Sequence, residues 1–117
     1  MQEFKNKVLR DKARMVYLLY NAKADGLTIA GYGAPAKATT LLHYYGIGQD
    51  IIDFIVDDSP LKERRYMPGN HIPIVNPQEI YNENPDIVLI FAWNFAESII
   101  QRLRDGGYKG KCIVPFV

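Results

Sequence analysis

Five short apolar runs constrain this chain more than any other feature. They are Leu27–Ala30, Ile51–Val56, Ile72–Val75, Ile87–Phe91 and Cys112–Val114. Each is nearly continuous in apolar residues rather than alternating with polar ones. That pattern suits strands buried on both faces, as in a parallel sheet covered by helices. Helix-forming stretches lie between the runs, at Ala36–Tyr45, Pro77–Tyr81 and Phe95–Arg104. Pro77 suits a first helical turn, and Asp105-Gly106-Gly107 suits a helix stop. Strand–helix alternation of these lengths predicts βαβ units with right-handed crossovers and helices on both faces. The expected sheet has five parallel strands in the order 3-2-1-4-5, with a crevice between strands one and four at their carboxyl ends.

Ahead of the first run, residues 3–24 contain neither Gly nor Pro, and Phe4, Val8, Met15, Leu18 and Leu19 recur at helical spacing. A helix over 3–24 follows, with Gly26 as its stop. Residues 1–25 are thus expected to lead into or pack on a single domain over 26–117, which fits the length of 117 residues. Residues 1–14 hold five basic and two acidic side chains, while the whole chain carries a formal charge of only +1. Such a balance points to neither nucleic acid nor an anionic membrane as partner. No apolar stretch approaches membrane-spanning length, and Met1–Arg14 has no apolar signal core. With Cys112 as the only cysteine, no intramolecular disulfide forms, and a reducing, cytoplasmic setting is the expectation.

The chemistry-bearing segments fall where strands are expected to end. Gly31-Tyr32-Gly33-Ala34-Pro35-Ala36 has the spacing G-x-G-x-x-A directly after a strand and at the start of a helix. In that fingerprint the first glycine permits the tight turn, the second lets a phosphate approach the backbone, and the small third residue lets helix and strand pack closely. Amides at a helix start favour an anion. Lys37 stands in the first turn, where a cation opposes the helix dipole, so a bound phosphate is a reason for its presence. The alternative is a tight turn beside a solvated lysine. Asp57 lies 21 residues after Ala36, where such folds place a ribose-binding acid, although Asp57-Asp58-Ser59-Pro60 also reads as a turn opener. Lys62, Arg64, Arg65 and His71 share one loop beside the expected crevice, and the two arginines read better as solvated. Trp93 and Asn94 follow the fourth strand as a stacking and hydrogen-bonding pair, or as a core plug and a helix cap. No Ser/His/Asp set, cysteine nucleophile with its base, or metal-ligand cluster stands out.

Taken together, Gly31–Lys37, Gly46-Ile47-Gly48, Ile52-Asp53-Phe54 with Val56-Asp57, Pro68-Gly69 with His71–Ile74, and Trp93-Asn94 resemble the C-terminal domain of bacterial sugar C-methyltransferases over residues 27–114. Those enzymes act on nucleotide-linked deoxysugars. The resemblance implies a Rossmann-like domain that helps hold a dTDP-sugar-like ligand. The binding set it implies is Gly31, Tyr32, Gly33, Ala34, Lys37, Asp57, Lys62, His71, Trp93 and Asn94, with no catalytic or metal residue. It also implies that S-adenosylmethionine and zinc belong to preceding regions of the full enzyme, which these residues do not contain. This domain would then partner a methyltransferase domain of the same or a neighbouring chain, and be inactive by itself. The fingerprint alone equally allows an independent NAD- or CoA-type regulatory module.

Overall fold

The structure is a computed structural model that describes residues 6–9, 12–33, 35–58, 65–67 and 71–115, with side chains described for all of these except 6–9, 35–37 and 65. Its strands are β1 (Asn6–Leu9), β2 (Ile29–Tyr32), β3 (Phe54–Val56), β4 (Arg65–Tyr66), β5 (Pro73–Val75), β6 (Ile87–Ile90) and β7 (Lys111–Pro115). Its helices are α1 (Lys12–Ala24), α2 (Pro35–Tyr45), α3 (Glu79–Glu83) and α4 (Ala96–Asp105). The sheet runs β1-β7-β6-β2-β3-β5-β4. Its centre, β5-β3-β2-β6-β7, is parallel throughout and is the expected 3-2-1-4-5 order.

Two edge strands were not expected. β1 pairs parallel with β7, Asn6 opposite Cys112, and β4 pairs antiparallel with β5, Arg65 opposite Ile74. The helix expected over 3–24 is therefore corrected to Lys12–Ala24, and Asn6–Leu9 is strand. The physical reason is that an edge strand needs no continuous apolar run. The partner of Asn6-Lys7-Val8-Leu9 is also about a hundred residues away, so nothing local marks it.

Side chains leave a strand on alternate faces, and the core divides accordingly. On one face Ile29, Ile55, Leu89, Phe91 and Ile113 meet Met15 and Leu19 of α1 and Leu41 and Leu42 of α2. On the other, Ala30, Tyr32, Val88, Ile90 and Cys112 meet Ile80 of α3 and Ile99 and Leu103 of α4. Phe54, from the apolar run Ile51–Val56, is half-buried and packs on this second face. Ile51 and Ile52 are buried but precede β3, so burial there comes without strand pairing.

α1 ends as a Schellman motif, with Leu27 N–H donating to the Ala22 carbonyl (3.0 Å) and Gly26 N–H to that of Lys23 (2.9 Å). α4 closes in the same way at Gly107 and Tyr108. The amino ends of the central strands are tied by carboxylates. Asp53 accepts from Ile29 N–H (2.8 Å) and from Lys23 Nζ (2.8 Å), and Asp86 accepts from Thr28 N–H (2.8 Å). Tyr108 is buried and donates to the Pro85 carbonyl at 2.7 Å. The opposite, carboxyl edge carries the candidate site.

Candidate ligand-binding site

The site starts from two glycines whose tasks differ from the expected ones. Gly31 is within β2, and a side chain there would bring a Cβ to 2.5 Å from the Phe91 ring and 3.1 Å from Ile55. Its lack of a side chain makes room for Phe91 and does not form the turn. The turn belongs to Gly33, at φ +83°, in the left-handed region that costs a residue with a Cβ. Gly33 N–H donates to the Val56 carbonyl at 2.7 Å, and a Cβ there would stand 3.0 Å from that of Ala92. The chain then enters α2 at Pro35, so the backbone turns at the carboxyl edge between β3 and β6, where successive connections leave in opposite directions. Lys37 is in the first turn of α2, as expected, although its side chain, like Ala34 and Lys62, is outside the described residues.

Neighbouring strands bring further groups to this edge. Asp57 follows β3, is buried, and donates its N–H to the Val75 carbonyl at 3.3 Å. After β6, Phe91 N–H donates to the Tyr32 carbonyl (3.0 Å), and a single 3-10 turn, Trp93–Phe95, leads into α4. Trp93 is half-buried against the α4-side core and Asn94 is exposed. Neither lines the cavity beside Gly33. The aromatic residues that do are Tyr32, which is buried, and Phe95, which is 65% exposed. That cavity holds about 350 Å³ and is walled by Gly33, Asp57, Asp58, Phe95, Ser98 and Arg102. His71 is exposed at the amino end of β5, its ring edge-on to Tyr66 at 6.1 Å. It is therefore at the other edge of the sheet from Gly33, and the structure does not bring it into the crevice.

The sequence reading named Tyr32 but missed the polar cluster that it forms at this edge with Asp58 and Arg102. Tyr32 is 1% exposed, yet its hydroxyl donates to Asp58 Oδ1 (3.1 Å) and accepts from Arg102 Nη1 (2.9 Å). Arg102 Nη1 also donates to Asp58 Oδ2 at 3.2 Å. Burial first, and then the Asp58 charge, push the Tyr32 phenol up to about 12, while Arg102 acts in the opposite direction. A neutral hydroxyl is what this arrangement requires, because it must donate to the carboxylate and accept from the guanidinium at once. Asp58 could have been found from its neighbour Asp57. Arg102 had no such signal: it is 70 residues from Tyr32 and reads as one more charge on an amphipathic helix. On the same face, burial raises the pKa of the Cys112 thiol.

A family model for the C-methyltransferase C-terminal domain matches residues 1–116. The chain belongs to this family. It is also 39% identical, over 97% of its length, to C-methyltransferase NovU from Streptomyces niveus, of which it covers 27%. The chain thus spans about a quarter of the length of that curated relative. The match includes the segment before residue 27, so β1 and α1 are part of the family domain. Among the described residues no helix is long and apolar enough to cross a membrane, and no three His, Cys, Asp or Glu side chains cluster as metal ligands.

Proposed function

We propose that this domain holds the nucleotide-diphosphate end of a nucleotide-linked sugar at the carboxyl edge of its sheet, and that methyl transfer is performed by a region outside these 117 residues. The observation that carries the reading is the Gly33 turn. It leaves β2 in a left-handed conformation between two neighbouring strands and runs directly into the start of α2. Amides at such a helix start favour an anion by about 0.3–1 kcal/mol at an exposed end. Lys37 in the first turn adds a full charge. Family membership supports the link to C-methylation, and the 27% coverage of NovU supports assigning the methyl-donor site elsewhere.

A thermal-shift panel of dTDP, a dTDP-sugar, NAD, coenzyme A and S-adenosylmethionine tests this, because a ligand that binds the native state raises the melting temperature. The dTDP compounds are expected to stabilise the chain and the other three to leave it unchanged. Stabilisation by NAD or coenzyme A alone would replace this reading with a regulatory nucleotide-binding module.

A further inference from the structure

The cavity beside Gly33 is not an anion pocket throughout. Of its walls, Gly33 offers main chain, while another side sets the Asp58 carboxylate, just after β3, against the Arg102 guanidinium of α4. A phosphate placed against that side would meet Asp58 wherever it met Arg102, because the two are 3.2 Å apart. Like charges at such spacing are unfavourable, and more so where water is displaced. A neutral ligand with paired hydroxyls meets no such conflict.

The ion pair is also incompletely used. Asp58 Oδ1 accepts from Tyr32 and Arg102, while its Oδ2 accepts only from Arg102 among the described residues. Within the same set Arg102 donates through Nη1 alone, which leaves the Nε and Nη2 protons for another partner. Both side chains are more than half exposed at the cavity mouth, at 54% and 59%. Exposed pairs of this kind contribute little to stability and are usually mobile. In this cluster the buried Tyr32 hydroxyl holds both partners, so an acceptor and a set of donors are presented side by side in fixed geometry. Phe95 supplies an exposed apolar face on the same cavity. A volume of about 350 Å³ is at the small end of ligand pockets, roughly 300–1,000 Å³.

We propose that the Tyr32–Asp58–Arg102 cluster, with Phe95 beside it, is a subsite for a vicinal diol on a sugar ring. One hydroxyl donates to Asp58, its neighbour accepts from Arg102, and the ring's C–H face rests on Phe95. This rests on the reading of the crevice as a nucleotide-sugar site and assigns to it the hydroxyl-bearing part of the ligand. Tyr32 is a positioning residue and does not touch the sugar. The diol belongs to the linked hexose, or to the nucleoside where the carrier is a ribonucleotide, since the 2′-deoxyribose of dTDP has none.

The test uses phosphate-free probes, so that its outcome is independent of the Gly33 turn. The 15N-labelled chain is titrated by NMR with uridine, which carries a ribose diol, with 2′-deoxyuridine, which does not, and with methyl β-glucoside. Uridine or the glucoside is expected to shift the Arg102 Nε–H and the Asp58 amide. Whichever of the two shifts them identifies the ring. Deoxyuridine should bind at least tenfold more weakly than uridine if the ribose is the source. Asp58→Asn and Arg102→Gln, checked for an unchanged melting temperature, should each lower the affinity for the responding probe about tenfold. No shift with either diol, or variants that bind as the parent does, would overturn the subsite even if dTDP binds. Diol shifts without dTDP binding would keep the subsite and remove the phosphate reading.

Discussion

Gly31→Ala isolates the packing role of the first glycine in the fingerprint. The added Cβ would stand 2.5 Å from the Phe91 ring and 3.1 Å from Ile55, both wholly buried. Neither neighbour is a flexible surface chain, so the core must shift, at a cost of about 1–3 kcal/mol for overpacking. With an unfolding entropy of about 2.1 cal/mol/K per residue, 117 residues lose about 4 °C per kcal/mol, so a fall of roughly 4–12 °C is expected. Phe91→Leu removes the ring atoms that the new methyl would strike. The double variant should then be less destabilised than the sum of the two single ones, with a coupling of about 1–2 kcal/mol. Urea denaturation of all four proteins measures the cycle. The double variant should also bind dTDP as the parent does, since the turn belongs to Gly33. Additivity within about 0.5 kcal/mol, or loss of dTDP binding in a folded double variant, would refute the reasoning.

Three further outcomes follow from the same structure. The folded-state pKa of Tyr32 is raised from 10.0 to about 12, so the native chain keeps a proton that the unfolded chain has lost. That stabilisation is fully present below pH 10 and disappears as the pH rises towards 12. The melting temperature should therefore fall less steeply over this range in Tyr32→Phe than in the parent, and equal slopes would count against the buried neutral hydroxyl. Tyr108→Phe leaves the Pro85 carbonyl without the 2.7 Å bond and should cost about 1–3 kcal/mol in urea denaturation, whereas no loss would mean that water replaces the hydroxyl. The purified chain should incorporate no labelled methyl group from S-adenosylmethionine into any dTDP-sugar, and incorporation would place the donor site within these residues.

The central sheet was legible because its strands are buried on both faces, which leaves apolar runs such as Ile87–Phe91 that few other folds require. Gly26 and Gly107 were legible as helix stops because their left-handed conformations suit glycine. What escaped was set by partners remote in sequence. β1 is strand only because β7 is beside it, and its polar residues are acceptable at an edge. Gly31 and Gly33 have the fingerprint spacing, but which one turns depends on Phe91, 60 residues away. The same holds for Arg102, whose role depends on Tyr32 and Asp58. His71 follows a loop that starts at the carboxyl edge, yet it is at the amino end of β5, because the chain has by then crossed the sheet.

Titration calorimetry of dTDP against the parent chain and Lys37→Ala tests the central claim most directly. The account predicts that the parent binds and that the variant binds about fivefold to tenfold more weakly, the loss of one charge-assisted contact of about 1–1.4 kcal/mol. Its melting temperature should be unchanged or slightly raised, since a cation no longer opposes the start of α2. Absence of dTDP binding to the folded parent, or equal binding by both proteins, would contradict the placement of the diphosphate at the Gly33 turn.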